Sequence, residues 1–559
     1  APYTEFISSV FHVEKREEEV SFEKLVAKQQ KESTAAEFVF NDLAQRFVLI
    51  TGAGVVHVDV SKHLAYVLGF DNTRLFHGEQ ARYMPDLSGG VKQLYVYAPK
   101  LIEECIIVQT TLMSVIKKID KDSVEGVEGS LSLFSLPPTN VAINKTNVRE
   151  LLPLSALNQT GPYLFRLFSD SQYCDLSKTY LYLLSSIERK NGAEPEDKRV
   201  GVIQNFGSSF VRSLKINISG IEVFDSSIYY HYRDYIMKEL GYSHEIRKAF
   251  HEAACYYTDE DDGQDSGTND GFIARASRFS NGKQCETMVK LNFDLAHQNA
   301  LMLNNQDVIF TIHRNNDSFL LLTPPWKKAD GTLQENSKEY RIRVHDLRVY
   351  VRTVDVTPSL NLAISRQLES TSAKYPLRKI EMRSIFLGKG RTELAHNVFT
   401  STLPRRLICC FVSTDAYSGN RRLSPFKFEH ANVRSICAEA NGQAFPSTPY
   451  LLSFDDAQQR FVRAFVDMYA GLGLDDSDTK TVSIGMQRFL SGWAFFVIPM
   501  TSTLDDTPGF ELIRQGTCTL KVQLEKPIKE DGYEMLILGE FDSVLSINAD
   551  RVLSTDGSV

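Results

Sequence analysis

The sequence lacks most of the patterns by which a chain announces chemistry. It has no C-x-x-C pair, no H-x-H or H-E-x-x-H among its 12 histidines, no G-x-S-x-G and no G-x-x-x-x-G-K-[ST]. Those absences remove the zinc ribbon, the metalloprotease and cupin-like metal centre, the serine-hydrolase elbow and the phosphate loop, each of which needs its residues at those spacings. The eight cysteines, at 105, 174, 255, 285, 409, 410, 437 and 518, are scattered, which encodes neither a zinc site nor a disulfide framework and fits reduced thiols in cytosol or nucleus. Long apolar runs are also missing: Trp493–Met500 spans eight residues and includes Pro499, far short of the ~20 that cross a bilayer. With 62 basic against 70 acidic residues, a net charge of −8 and no extended Lys/Arg run, the chain is not built as a dedicated nucleic-acid binder. No charged-then-apolar leader precedes the four N-x-S/T triplets at Asn144, Asn158, Asn217 and Asn316, so they are read as accidental. Ala1 in place of Met is expected of a chain that begins inside a longer product.

What is present is size and strand pattern. A 559-residue chain with 43% hydrophobic residues holds two or three domains. Residues 1 to about 120 read as a mixed α/β piece, with a strand over Phe47–Val60, a short helix through Leu64, Val67 and Leu68 capped at Gly69, and a strand over Val91–Tyr97. Charge and glycine from Lys117 to Gly129 mark an exposed connection. Beyond it, apolar residues alternate with polar ones in Leu214, Ile216 and Ile218 and again in Leu347, Val349 and Val351, the period of a strand with one buried face. Further strands are expected over Thr179–Leu184, Leu407–Val412, Trp493–Ile498, Thr519–Leu524 and Met535–Phe541. The total favours sandwiches over α/β layers.

Several segments imitate chemistry without completing it. Phe47–Gly54 ends in Gly52-Ala53-Gly54 like the start of a dinucleotide fold, but His57 stands where the third glycine belongs and Val55–Val60 favours a strand, so a β-hairpin turn is expected. Gly388-Lys389-Gly390-Arg391 reads as a loop tip, and Cys409-Cys410 as packed thiols in a strand. His313 and His345 are read as structural. Asp259–Asp270 holds six carboxylates in twelve positions, yet Gly263, Gln264 and Asp270 occupy the wrong places for a calcium loop, leaving a solvated loop. Arg405-Arg406 and Arg421-Arg422 are expected at a solvated loop base, with phosphate or an acidic neighbour as the alternative contact. Tyr229, Tyr230, Tyr232 and Tyr235 crowd one short helix, where Tyr232 and Tyr235 suit burial against a sheet and the others a partner subunit. No catalytic, cofactor-binding or metal residue is assigned, and no enzyme activity is expected.

The chain also repeats itself faintly. Val211-Arg212-Ser213-Leu214 recurs 222 residues on as Val433-Arg434-Ser435-Ile436, and both copies run into a glycine turn, Ser219-Gly220 or Asn441-Gly442. A helical segment follows each, Ser227–Leu240 and Phe454–Tyr469. The repeat predicts two similar β domains in tandem.

Ser132–Asn140 (SLFSLPPTN) and Tyr173–Leu181 (YCDLSKTYL), followed in order by Asn205-Phe206, Phe293-Asp294-Leu295, Lys374-Tyr375-Pro376-Leu377-Arg378 and Glu540-Phe541-Asp542, resemble the hexon-type major capsid proteins of Polinton/Maverick elements and adintoviruses over about residues 130 to 550. The resemblance implies an all-β fold of two tandem jelly-roll sandwiches, with short helical insertions, in a subunit that forms homotrimeric pseudo-hexagonal capsomers. Separately, Leu64–Phe70 and Leu94–Tyr97 resemble the C-terminal part of the penton-type minor capsid protein of the same elements. The expected domains are therefore a smaller penton-like α/β or β fragment over 1–124, one jelly roll over 125–345 and a second over 346–559. The implied function is an icosahedral shell around a double-stranded DNA element. Its implied partners are two further copies of the chain, the penton-type protein and packaged DNA touched only weakly. The implied location is the virion capsid, after an intracellular stage in cytoplasm or nucleus. The acidic balance suits a shell that encloses DNA without gripping it. The loops around Asp259–Asp270 and Lys327–Lys338 are expected as outer or inter-subunit features. The rival reading is a host-retained jelly-roll binding or adhesion module, because function does not follow from fold.

Overall fold

The computed structural model describes residues 139–555 apart from 194, 196–199, 260–268, 328–332, 335–338, 456, 476–481, 502–512 and 529–530, together with strands and a few positions between 11 and 108. The chain divides into two compact units, Ala1–Pro138 and Thr139–Val559.

In the first unit, strands Glu18–Ser21, Phe11–Lys15, Val55–Val60 and Arg74–Leu75 form an antiparallel sheet in that order, Ala36–Asn41 pairs with Arg46–Thr51, and Leu94–Tyr95 pairs with Ile107–Val108. The single strand expected over 47–60 is thus two strands, and they belong to different sheets, so the expected hairpin between them does not form. The expected helix around Leu64–Leu68 and the connection at 117–129 lie outside the described residues.

In the second unit the sequence's alternation becomes two sandwiches. The first is built from β1 (Ile143–Leu151), β2 (Tyr163–Phe168), β3 (Tyr173–Arg189), β4 (Val211–Ile218), β5 (Ile221–Asp225), β6 (Cys285–Lys290), β7 (Asp307–Arg314) and β8 (Tyr340–Val356). The second is built from β9 (Ala373–Leu387), β10 (Glu393–Phe399), β11 (Arg406–Ser413), β12 (Val433–Ala440), β13 (Gln443–Phe445), β14 (Phe496–Pro499), β15 (Cys518–Leu524) and β16 (Tyr533–Ile547). The sheets of the first run β2-β7-β4-β5 and β6-β3-β8-β1; those of the second run β10-β15-β12-β13 and β14-β11-β16-β9, with Leu553–Thr555 added beside β16. Each strand therefore has its counterpart eight labels later in the same place. Every pairing within the two sandwiches is antiparallel. This is a double jelly roll. The expected division at 345/346 falls inside β8, which runs on to Val356.

The 222-residue repeat reaches down to single positions. Strand β4 slips register against β7 between Val211 and Ser213, and β12 slips against β15 between Val433 and Ser435, so the same bulge sits at Arg212 and Arg434. Both glycine turns place two successive residues at positive φ: Ser219 at 49° and Gly220 at 87°, Asn441 at 51° and Gly442 at 77°. That pair of left-handed residues matches the twist of the strands it joins. After each hairpin comes a helix, α2 (Tyr230–Gly241) or α6 (Val462–Leu472), before the sixth strand of its sandwich. Both helices start later than the sequence suggests. Ser227 takes φ 50°, which no helix accommodates, and Ser453 and Arg460 exchange two backbone hydrogen bonds of 3.1 and 2.9 Å that hold 453–460 as a closed turn.

Further helices include α1 (Phe206–Ser209), α3 (His244–Ala249), α4 (Asp270–Phe279) and α5 (Pro358–Ser370), the last linking β8 to β9. One continuous apolar core runs through both sandwiches, from Tyr163, Phe165 and Leu167 in β2 to Leu536, Ile537 and Leu538 in β16.

Candidate functional site

Helix α2 lies in the seam between the sandwiches and carries four charges into it. Its twelve residues, YHYRDYIMKELG, have no dominant apolar stripe, yet Tyr230, Tyr232, Arg233, Asp234, Tyr235, Lys238 and Glu239 are all buried. A helix that is polar around its circumference survives burial only where each polar group finds a partner. Here each charge does. Arg233 donates to Asp294 Oδ1 at 2.6 Å and to the Ile380 carbonyl of β9 at 3.0 Å, while the Ile380 N–H donates to the same Asp294 oxygen at 3.3 Å. One carboxylate thereby joins helix α2 to the second sandwich.

One turn on, Lys238 pairs with Asp234 at 2.8 Å and donates to Asn205 Oδ1 and Ser208 Oγ, both at 2.9 Å, and Asn205 Nδ2 returns a 2.8 Å bond to Asp234. Burial pushes the Asp234 carboxyl up, but Lys238, Asn205 and Ser208 together hold it below its ordinary value. Glu239 accepts from Arg247 of α3 and from the Tyr256 hydroxyl, and Arg247 also donates to the Val482 carbonyl of the second sandwich. Arg275 of α4 donates to Asp259 at 2.8 Å and to the carbonyls of Val202 and Tyr257 at 2.9 and 2.8 Å.

The aromatic side of the same helix locks into the second sandwich. Tyr235 stacks on Phe426 with centroids 4.1 Å apart and planes 8° from parallel, and Tyr232 stacks on Tyr417 at 5.8 Å. The Tyr229 hydroxyl meets Ser384 Oγ of β9 at 3.1 Å. Of the tyrosines expected to reach a partner subunit, Tyr229 is thus spent on the other sandwich, and Tyr230 is buried in its own, its hydroxyl accepting from the Asn292 N–H at 2.9 Å.

The other singled-out residues fall into structural roles. Arg405 and Arg406 converge on Glu540, at 3.3 and 2.7 Å, and Arg406 also donates to the Gly471 carbonyl at 3.2 Å. These arginines meet an acidic neighbour of their own chain, and Arg405 is buried, contrary to the solvated loop base expected. Arg421 donates to the Tyr340 carbonyl at 3.2 Å. Cys409 and Cys410 are wholly buried in β11, where burial pushes both thiols up. His345 meets Ser186 Oγ at 2.8 Å. Gly388–Arg391 forms the turn between β9 and β10, with Gly390 at φ 80°. Among the described residues no group of three or more His, Cys, Asp or Glu is arranged to hold a metal ion. Asp259 belongs to the Arg275 network; the rest of the acidic segment through 268 lies outside the described residues, as do the side chains of 326–338.

Several of the blocks that carried the family resemblance lie at this seam. Arg378 of Lys-Tyr-Pro-Leu-Arg pairs with Asp542 of Glu-Phe-Asp across β9 and β16. Tyr375 of the same block donates to the Leu301 carbonyl at 3.1 Å and accepts from the Leu303 N–H at 3.1 Å. Asp294 and Asn205 anchor the α2 charges. Asp175 accepts from the Ser177 N–H and hydroxyl at 3.2 and 2.5 Å, at the bulge where β3 slips against β8.

No protein-family model matches the chain. An uncharacterized protein of Caenorhabditis elegans is 27% identical over 428 residues, covering 74% of this chain and 98% of that protein. Among solved structures, a chain of the Sputnik virophage seen by cryo-EM is similar at a TM-score of 0.53 and 12% identity, over 79% of this chain and 94% of that one. The mavirus major capsid protein is similar at a TM-score of 0.47 and 11% identity, over 79% of this chain and 97% of that one. The Sputnik likeness bears on the fold, and it agrees with the double jelly roll read from the strand order.

Proposed function

We propose that the chain is a structural subunit of a viral-type capsid, a shell protein that works by geometry. The observation that carries this reading is the buried seam: two sandwiches of identical strand order are fused by the hydrogen bonds that Arg233, Asp294 and Arg247 make to the second sandwich's backbone and by stacked rings into one block, the form required of a tile that must present fixed flanks to its neighbours. The likeness in fold to a chain of the Sputnik virophage and the Polinton/Maverick-like sequence blocks support the same reading. In it, three copies form a pseudo-hexagonal capsomer, the capsomers close an icosahedral shell around double-stranded DNA, and residues 1–124 are the penton-like fragment. The 125–345 and 346–559 segments are the two jelly rolls of that tile, with the first carried on through the end of β8 at Val356 and α5 leading into the second. The chain occupies the capsid after an intracellular stage.

The second reading, a host-retained binding module, draws on the animal relative, which shares 98% of its own length with this chain. Light scattering of the purified full chain, followed by electron microscopy of any large species, separates the two. Trimers or closed shells are expected. A stable monomer at micromolar concentration overturns the capsid reading in favour of the binding module.

A further inference from the structure

The seam joins two particular surfaces, and the repeat supplies a counterpart of each. From the first sandwich it uses helix α2 and Asp294, just past the sixth strand β6; on the second it uses β9, the first strand, through Ser384 and both backbone groups of Ile380. In the second sandwich the helix in α2's place is α6, which lies on the sixth strand β14, so close that a Cβ added at Gly471 would come within 2.7 Å of Val497. In the first sandwich the strand in β9's place is β1, at the same end of its sheet. Both counterparts are open. Helix α6 (VRAFVDMYAGL) is the more apolar of the two helices, yet only Ala464, Met468 and Gly471 are buried, whereas α2 buries most of its length. Val462 and Val466, four residues apart and so on one face, are each 50% exposed, and Leu451 is exposed next to the Tyr450 ring that Arg463 covers. Strand β1 pairs with β8 alone among the described strands, and Val141, Val148 and Leu152 along it are exposed, Val148 to 68%. On β9, by contrast, Tyr375, Ile380 and Leu387 are buried.

We propose that α6 of one copy packs on β1 of a second copy, repeating between chains the placement that α2 and β9 have within one. An edge strand with exposed apolar side chains invites a partner unless something covers it. A second copy is the occupant because the two open surfaces belong to the same chain and stand in the places of two surfaces that already fit each other. The chemistry is simpler than that of the seam. Where α2 brings buried charges with a partner for each, α6 brings Val462 and Val466 to an edge that offers Val148 and Leu152. Since the two surfaces differ, the contact is head-to-tail, and every copy gives one surface and receives on the other, the arrangement that closes into rings. Closure at three copies rests on the shell-subunit reading; the choice of surfaces rests on the repeat.

The test follows the full chain by analytical ultracentrifugation. Val148→Asp and Val466→Asp change exposed positions, so each variant is expected to keep the wild-type circular dichroism while its association weakens by about tenfold or more, the effect of burying an unpaired carboxylate. Mixing the two variants is expected to restore dimers, because each retains the surface that the other has lost. Independently, co-expressed Val148→Cys chains and Val466→Cys chains are treated with a short bismaleimide, and a peptide pair joining positions 148 and 466 is expected by mass spectrometry. If the wild type is trimeric while both aspartate variants stay trimeric, or while positions 148 and 466 never link, the proposed surfaces are wrong and the shell-subunit reading stands. A wild-type chain that is monomeric at micromolar concentration overturns both.

Discussion

Asp294 shows how much one side chain carries in this protein. It sits in an apolar-looking stretch, Phe293-Asp294-Leu295, and holds both the Arg233 guanidinium and a backbone N–H of the other sandwich. Removing one partner of a buried pair strands the other charge, which costs about 3 to 5 kcal/mol, whereas replacing both with apolar side chains is often neutral. Asp294→Ala is accordingly expected to lower stability by that amount in urea unfolding, and Arg233→Leu combined with Asp294→Leu to lose less than the single change. A single-variant loss under about 1 kcal/mol would mean that Arg233 finds its compensation in the Ile380 carbonyl and the Phe224 ring, 4.8 Å below it. Asp294 lay in a block of the family resemblance, but none of the helix's own charges stood out in the sequence. Arg233, Asp234, Lys238 and Glu239 look like the wet side of a surface helix, and only partners outside the helix, from Arg247 and Tyr256 for Glu239 to Asn205 for Asp234 and Lys238 and Asp294 for Arg233, make them internal. The four tyrosines were the one local signal: Tyr232 and Tyr235 were expected against a sheet and the other two at a partner subunit, and the structure holds all four within the chain.

At the scale of elements, the strands were the legible part because a period of two is written locally. Leu214, Ile216 and Ile218 are buried in β4, and Val349 and Val351 in β8, as their alternation requires. The ends of elements were less legible, since Ser227 and Ser453–Arg460 delay their helices through backbone bonds that composition does not display. The two glycine turns were legible twice over, and they offer an internal control. A methyl group added at Gly220 or Gly442 meets nothing within 4 Å, so any cost of alanine there is conformational alone. Gly220→Ala and Gly442→Ala are each expected to destabilise by about 1 to 2 kcal/mol, and to do so equally. Denaturant midpoints of the two variants check this. Unequal losses would show that the second hairpin, whose partner strand β13 has only three residues, holds its turn less firmly than the first.

At the scale of the whole molecule, the seam makes the fold sensitive to acid. Three histidines lie in the first sandwich near α2, His231 and His251 buried and His297 partly open to solvent: burial lowers His231 to about 3, with Arg212 assisting, and lowers His251 to about 4, while loss of solvent around the ring, with Arg233 and Lys290 beside it, lowers His297 to about 4. His251 faces Lys238 and Arg247, which also oppose its charge, and Asp234, which favours it; His297 faces Arg233 and Lys290 against Asp234. His231 packs between Tyr232 and Phe319, 4.5 Å from each, with Asn315 at 3.1 Å. All three have depressed values in the fold, so the unfolded chain binds more protons below its ordinary histidine value of about 6.5. Stability is therefore fully present above that pH and declines as pH falls toward 4, by about 1.4 kcal/mol per unit for each of the buried His231 and His251 and by less for the solvent-exposed His297. Asp234, held low by Lys238, adds its own loss only below the ordinary carboxylate range. Trp493 reports on the event, because it lines a small cavity in the seam with Gln204, Asp259 and Phe426. In a Trp326→Phe background its emission is expected to shift red between pH 6 and 4.5, and the thermal midpoint to fall over the same interval. Replacing His231, His251 and His297 with apolar or amide side chains of similar size should flatten both curves. An emission maximum and midpoint unchanged down to pH 4.5 would show that the seam absorbs these protons without opening, and that its ion pairs outweigh three charged imidazoles.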